Sequence, residues 1–385
     1  QVRLVDCEPE VNRSRTLYVP YMSVKQKGKS DNESANSSMS VRTGRECFRA
    51  LTTPEAITLV SGVDKVRASV LSGPKATADM VQTDESFWTI FCFRFLSGAP
   101  FTKADCDAGL PRAVLDATTA RRLFGTTDAV GRTVQLNYVD YTVAGVVADV
   151  SMLATAAYAQ IWVSYTAAGA EAMSWQNDTM GPMHAIILAR SSADFDAIRE
   201  ETELLRKKYN DGLQDVEVFY RGQPDTQLAY LYRRWYAEPD VSGVMLRYAI
   251  VIIILLLVPA INLSGMTLSR MRRRMAEIGV RKAFGATGGE LMRQVFFENL
   301  VLTLLAGIVG LALSYVATFV LNDFLFSNSM NASLSGETVL TPGMLLSPWA
   351  FIAAFVFCLL MNILSAGIPA WRASRMNITD AINQR

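Results

Sequence analysis

Three long intervals of this chain carry no charge. Between Arg247 and Arg270 lie 22 uncharged residues, between Glu298 and Asp323 lie 24, and between Glu337 and Arg372 lie 34. A bilayer core about 30 Å thick needs roughly 20 apolar residues in helical form to cross it. Residues 245–268, 297–321 and 349–371 are therefore predicted to be spanning helices. Segments such as VIIILLLV and AFIAAFVFCLL are apolar on every face, unlike the one-sided helices of a soluble core. Upstream of about Ser242, charged and apolar residues mix as in a soluble domain. The 385 residues thus divide into a soluble part and a membrane part, and a net charge of +1 gives no sign of a nucleic-acid partner.

The charges flanking these intervals set an orientation. The segment from Ser269 to Arg293 holds Arg270, Arg272, Arg273, Arg274, Arg281, Lys282 and Arg293 against Glu277 and Glu290. The tail adds Arg372, Arg375 and Arg385 against Asp380, whereas residues 322–347 contain no Lys or Arg. Short basic loops stay on the cytoplasmic side. Loop 269–293 and the C-terminus are therefore predicted inside, with 322–347 and residues 1–240 outside. Trp349 and Trp371 bracket the last span. At about 1.5 Å per residue they stand about 33 Å apart, close to the separation of the two interfaces.

The soluble part reads as α+β. Asp116 to Phe124 is predicted helical and closed by Gly125. Thr133–Asn137 and Tyr141–Val147 read as a hairpin around Tyr138-Val139-Asp140, and Ala185–Leu188 and Val216–Tyr220 as short strands. Phe195 to Tyr209 reads as a charged helix. The polar tract Lys25 to Ser40 is expected to be a mobile loop. Asp225 to Ala237 carries an aromatic and arginine face and is expected to form a helical stalk feeding the first span, or else an amphipathic surface helix. The predicted divisions are 1–224 for the outside domain, 225–244 for the stalk and 245–385 for the membrane domain. Cys7, Cys47, Cys92 and Cys106 fall in the outside domain, where an oxidising compartment permits disulfides. The expected pairing is Cys7 with Cys47 and Cys92 with Cys106, buried free thiols being the alternative.

Few residues argue for chemistry. Gly28-Lys29-Ser30 has the tail of a phosphate-binding loop, but Ser23 stands where that motif needs glycine, and the polar DNESANSS follows where it needs a helix. His184 is the single histidine, and no nucleophile–base arrangement assembles around it. No catalytic residue and no metal site is expected. Within the second span, Ala306, Gly310 and Ser314 place small residues on one face, a spacing that permits close helix contact.

The informative segment is MRRRMAEIGVRKAFGATGGELMRQVFFEN. Ile278, Ala283 and Phe284 put apolar surface among arginines, and Gly285 and Gly288-Gly289 break the chain before the next helix. A short amphipathic helix at the cytoplasmic face follows, able to grip lipid or a protein.

Arg274 through Thr287, RMAEIGVRKAFGAT, resembles the signature of MacB/FtsX-like ABC transporter permeases. The Phe297-Glu298-Asn299 entry to the second span and the tail IPAWRASR (368–375) are similar to that family. So are ESFWTIFCFRFLSGAPFT (85–102), ARRLFGTTDAVGRTV (120–134) and YTVAGVVADV (141–150), which resemble its periplasmic core domain. The resemblance implies a coupling helix that docks on an ATPase, carried by Arg274, Glu277, Ile278, Gly279, Val280, Arg281, Lys282, Ala283, Phe284, Gly285, Ala286 and Thr287. It implies a multi-pass protein of the bacterial inner membrane, with residues 1–244 mainly periplasmic and an α-helical transmembrane bundle. Family members have four spans, so a fourth helix is expected before Gln1. No Walker sequence occurs here. ATP and Mg are thus expected on a separate cytoplasmic ABC ATPase subunit, with no cofactor in this chain. A second permease copy or paralogue, membrane lipid, and a periplasmic adaptor or outer-membrane channel are the further partners implied. The output would be export of a peptide, drug or lipoprotein. Signalling to an envelope enzyme such as a cell-wall hydrolase, or a receptor role without ATPase, are the alternatives.

Overall fold

The computed structural model describes residues 8–71, 73–233, 237–255, 257–258, 280, 284–285, 287–320 and 351–361. The chain divides into two compact units, one over Gln1–Val241 with Phe326–Leu340 and one over Ser242–Leu325 with Thr341–Arg385.

The first unit contains two subdomains, one inserted into the other. The outer subdomain opens with β1 (Thr16–Val19), β2 (Met22–Gln26), β3 (Ala35–Ser37), helix α1 (Val41–Gly44) and β4 (Ala56–Ser61). It resumes at β12 (Met183–Leu188), α5 (Phe195–Gly212), β13 (Val216–Phe219), β14 (Asp225–Thr226) and α6 (Gln227–Tyr232). An antiparallel sheet runs β14-β1-β12-β4, and a smaller one runs β13-β2-β3. β1 and β12 are buried along most of their length because they run nearly continuously apolar, as TLYV and MHAIIL. With α5 they enclose a core that includes Leu17, Met22, Phe48, Leu59, Ile187, Ile198 and Val218. A Cβ on Gly44 would meet the Leu59 methyls at 2.7 Å, so glycine is what lets α1 lie directly on β4. Truncating a fully buried side chain such as Leu59 would cost about 2–5 kcal/mol.

The inserted subdomain holds β5 (Asp64–Ser69), β6 (Lys75–Thr83), α2 (Phe87–Ile90), β7 (Phe95–Gly98), α3 (Lys103–Asp107) and β8 (Arg112–Asp116). It continues through α4 (Ala117–Phe124), β9 (Thr133–Leu136), β10 (Val139–Val147) and β11 (Ile161–Ser164). Its mixed sheet runs β7-β10-β8-β11-β6-β5-β9, and β9 also pairs with β10. The pairing is therefore cyclic. The sheet closes on itself around small and branched side chains such as Ala68, Ala113, Leu115, Val143 and Val163, and closure removes long open edges.

Several predicted elements are present. Asp116 caps α4, its carboxylate accepting the Thr119 N–H at 2.7 Å, and Gly125 ends it at φ +74°. The predicted charged helix runs three residues further, to Gly212. The hairpin is offset: its two turn residues are Asn137 (φ +45°) and Tyr138 (φ +72°), and Val139 already pairs with Leu136.

The tract Lys25 to Ser40 is not the expected loop. It forms the end of β2, a short 3₁₀ turn over Asp31–Glu33, and β3. Polar partners replace a hydrophobic face there. The Ser23 hydroxyl lies 2.6 Å from Asn36 Oδ1, Lys25 pairs with Asp31 and Glu217, and Arg221 donates to the Asp31 carbonyl and the Ser34 hydroxyl.

In the second unit, α7 (Val241–Leu255), α8 (Gly288–Val320) and α9 (Phe351–Met361) are helical. Phe296–Ser314 within α8 is long and apolar enough to cross a membrane, with a mean hydropathy of 2.0. The described parts of α7 and α9 are shorter apolar helices. The rest of the spans expected over 245–268 and 349–371, including Trp349 and Trp371, lies largely outside the described residues. Ile253, Leu255, Leu305, Leu313 and Val320 are more than half exposed, which suits lipid and not water.

Candidate functional site

Two segments are the candidates: the one leading into α8 and the one leaving the first unit. Leading into α8, Val280 is helical and its carbonyl accepts the Phe284 N–H at 3.1 Å. Gly285 stands at φ +95°, a backbone conformation that glycine adopts without strain. Thr287 then opens α8 with reciprocal bonds. Its N–H donates to Glu290 Oε2 at 2.9 Å, and the Glu290 N–H donates to the Thr287 hydroxyl at 3.3 Å. These bonds hold the Glu290 carboxyl below its usual range. The cap fixes where α8 begins, and the Phe284 ring is left 88% exposed just before it. Arg274, Glu277, Ile278, Gly279, Arg281, Lys282, Ala283 and Ala286 lie outside the described residues.

At the exit of the first unit, Thr226 caps α6 through the Ala229 N–H, and Tyr230 stacks on Tyr18 of β1 with ring centres 4.6 Å apart. The stalk expected over 225–244 is not a continuous helix. α6 stops at Tyr232, because Arg233 turns extended and folds back onto Asp225. The guanidinium donates from Nε to one carboxylate oxygen and from Nη2 to the other at 2.6 Å, and Nη1 reaches the Ala237 carbonyl at 3.2 Å. The pair is closed to solvent, with side chains 1% and 3% exposed. Burial pushes the Asp225 carboxyl up against the pull of Arg233. Helix resumes at Val241, whose N–H bonds to the Pro239 carbonyl.

The cysteines also depart from expectation. Cys47, Cys92 and Cys106 are free thiols, so the pairing of Cys92 with Cys106 is corrected, and Cys47 is unpaired. Cys7 lies outside the described residues. Cys47 is sealed beside Phe48 in the outer core, and Cys106 is buried in α3, whereas Cys92 faces solvent. Burial pushes the Cys47 thiol up to about 12 and the Cys106 thiol up to about 11, which makes both poor nucleophiles.

Ala306, Gly310 and Ser314 sit on α8, but a Cβ on Gly310 would meet nothing within 4 Å. The neighbouring helix instead approaches at Gly307, where a Cβ would lie 3.5 Å from the Phe355 ring of α9. Among the described residues no three His, Cys, Asp or Glu side chains gather as metal ligands.

The sequence reading missed the Asp225–Arg233 clamp and the Thr287–Glu290 cap. The cap had a readable signature, Thr-Gly-Gly-Glu ahead of an apolar run. The clamp had none, since it depends on burial.

Comparison with known proteins places both halves. Residues 11–205 match the MacB-like periplasmic core domain, and residues 249–378 match the FtsX-like permease C-terminal domain. The chain is 25% identical over 309 residues to a Yersinia pseudotuberculosis protein named macrolide export ATP-binding/permease protein MacB 1, covering 79% of this chain and 43% of that one. It is 26% identical over 314 residues to the Escherichia coli (strain K12) protein named macrolide export ATP-binding/permease protein MacB, with 80% and 43% covered. The crystal structure of the periplasmic region of MacB from Actinobacillus actinomycetemcomitans aligns at 15% identity and a TM-score of 0.38, over 53% of this chain and 90% of that one. The chain spans less than half the length of these curated relatives. With a MacB-like periplasmic core domain and an FtsX-like permease domain in one polypeptide, the chain belongs to the MacB/FtsX-like ABC transporter permease family.

Proposed function

We propose that this chain is the permease subunit of an ABC transporter that carries ATP-driven motion across the inner membrane to its extracytoplasmic domain. The observation that carries this reading is the pairing of that domain with a permease domain whose entry to α8 is capped by Thr287 and Glu290 and preceded by the uncovered Phe284. A cytoplasmic ABC ATPase, holding ATP and Mg, grips the loop around Glu277–Thr287. Because α8 is a single helix over Gly288–Val320, about 50 Å at 1.5 Å per residue, a push at its capped end reaches the far side of a bilayer without loss in a hinge. Nucleotide state then biases two arrangements of the permease.

In this reading three spans, near 245–268, 297–321 and 349–371, cross the membrane. Loop 269–293 and the C-terminus are cytoplasmic. Two permease copies, or one with a paralogue, work with two ATPases, and a periplasmic adaptor or outer-membrane channel takes over the cargo. The relatives are named for macrolide export. For this chain the cargo is a peptide, drug or lipoprotein already outside the inner membrane.

Co-purification from native membranes tests the coupling. The wild-type protein is expected to bring down an ATPase subunit with nucleotide-hydrolysing activity. Phe284→Asp, and separately Glu277→Ala combined with Arg281→Ala, are expected to lose it. Retention of the ATPase by both variants would sink the coupling assignment.

A further inference from the structure

The thiols of the first unit fall into two kinds. Cys47 and Cys106 are buried, whereas Cys92, between α2 and β7, faces solvent. The Cys92 N–H donates to the Pro9 carbonyl at 2.9 Å, and the Asn12 side chain donates to the Ile90 carbonyl at 3.4 Å. The chain ahead of β1 is thus laid against the α2–β7 connection of the inserted subdomain. A second attachment fixes it there. The buried Glu10 carboxylate accepts the N–H groups of Ala156 and Ala157 at 2.7 and 3.0 Å. Arg13, paired with Glu10 at 2.7 Å, donates to the Leu153 carbonyl at 2.8 Å.

Cys7 stands two residues before Pro9 in the sequence. Two peptide units of about 3.8 Å each keep its Cα within about 7.6 Å of the Pro9 Cα. A disulfide needs Cα atoms about 4.4–6.8 Å apart. That separation from Cys92 is within reach of a chain anchored at Pro9, while burial withdraws Cys47 and Cys106 as partners. Residues 11–205 match a periplasmic core domain, and an oxidising compartment of that kind forms and keeps disulfides.

We infer that Cys7 and Cys92 form a disulfide, which staples the segment leading into β1 to the inserted subdomain. The thiolate of the exposed Cys92 attacks the disulfide of a periplasmic thiol oxidase, forming a mixed disulfide and releasing one oxidase thiolate. The Cys7 thiolate then attacks the Cys92 sulfur, the Cys7–Cys92 bond forms, and the second oxidase sulfur leaves as a thiolate. The two cysteines lose two protons and two electrons, and the oxidase is reduced from disulfide to dithiol. The closed loop runs from β1 through α2, so the link constrains the unfolded chain over all of those elements.

This inference rests on the periplasmic placement of the domain and not on coupling to an ATPase. Native membranes are dissolved in denaturant with iodoacetamide and no reductant, which blocks every free thiol, and the purified chain is cut with trypsin. Residues 4–13, which hold Cys7, are expected to emerge joined to residues 76–94, which hold Cys92, and reduction is expected to separate them. The peptides of Cys47 and Cys106 are expected to emerge singly and blocked. Cys7 and Cys92 both blocked, or either one joined to another cysteine, would overturn the pairing. Intact spheroplasts tell that failure from a failure of placement. An impermeant maleimide is expected to label Cys92 of the wild type only after treatment with an impermeant reductant. Labelling without reductant and without lysis would show the placement right and the pairing wrong. Labelling that needs lysis would overturn the placement and the disulfide with it.

Discussion

Asp225 and Arg233 illustrate how a single residue pair decides the course of the chain. Both side chains are closed to water, and the guanidinium spends its donors on the carboxylate and the Ala237 carbonyl. Removing one partner strands the other charge. Asp225→Ala is expected to cost about 3–5 kcal/mol, whereas Asp225→Leu combined with Arg233→Met should cost much less. Chemical denaturation of the full protein followed by tryptophan fluorescence compares the two, and equal losses would refute the clamp. Asp84 carries a pH signature. It accepts from Thr58, the Leu59 N–H and Arg49, and burial nevertheless pushes its carboxyl up to about 6 with Arg49 opposing. An unfolded aspartate releases its proton near pH 4. Between about pH 4 and 6 the native state therefore holds more protons than the unfolded chain, so this group's contribution to stability falls as pH rises. Asp116, also pushed up to about 6 by burial, adds to it with the same sign. Asp84→Asn is expected to flatten the pH dependence over that window relative to wild type, and a slope identical to wild type would contradict the shift.

Among the elements, what could be read in advance depended on how local the cause was. Helix α4 was legible because its cap, Asp116, and its stop, Gly125, lie at its own ends. Strand β12 was legible because its stretch Ala185–Leu188, AIIL, is apolar throughout. The β9–β10 turn was displaced toward Asn137 because strand pairing, and not composition, decides that Val139 belongs to β10. The tract Lys25 to Ser40 was misread because part of what orders it is Arg221, 190 residues from Asp31 in sequence. The end of α6 was hidden for the same reason: QLAYLYRRWYA is a fair helical sequence until Arg233 finds a buried carboxylate. The capping pair at α8 makes an element-scale prediction. Thr287→Ala removes a cap of about 1 kcal/mol. Amide exchange in the first turn of α8 is expected to quicken roughly fivefold, with the turns beyond Phe297 unchanged. Exchange that stays at the wild-type rate would show that the cap does not hold the helix start.

For the whole molecule, the arrangement of thiols offers a direct test of sidedness. Cys92 is exposed in the first unit, Cys47 and Cys106 are sealed, and Cys358 lies on α9. In spheroplasts carrying Cys7→Ser, a membrane-impermeant maleimide is expected to label Cys92 without lysis, and Cys92→Ser should remove the signal. Labelling that appears only after lysis would invert the proposed orientation. The candidate site at this scale was half legible. The loop's basic charge is legible in the sequence, whereas the Asp225–Arg233 clamp is not, because it depends on burial.

The insertion of one subdomain into the other has a consequence for how the polypeptide is made. β1 pairs with β12 through Thr16 and Leu188, and with β14 through Tyr18 and Asp225. As the chain emerges from its N-terminus, the first strand must wait for nearly the whole domain before either neighbour arrives. The closed sheet between Asp64 and Ser164 finds all its partners much earlier. Folding is therefore ordered in time, the inserted part first and the enclosing part last. During that delay β1, apolar and unpaired, is the stretch most in need of a chaperone.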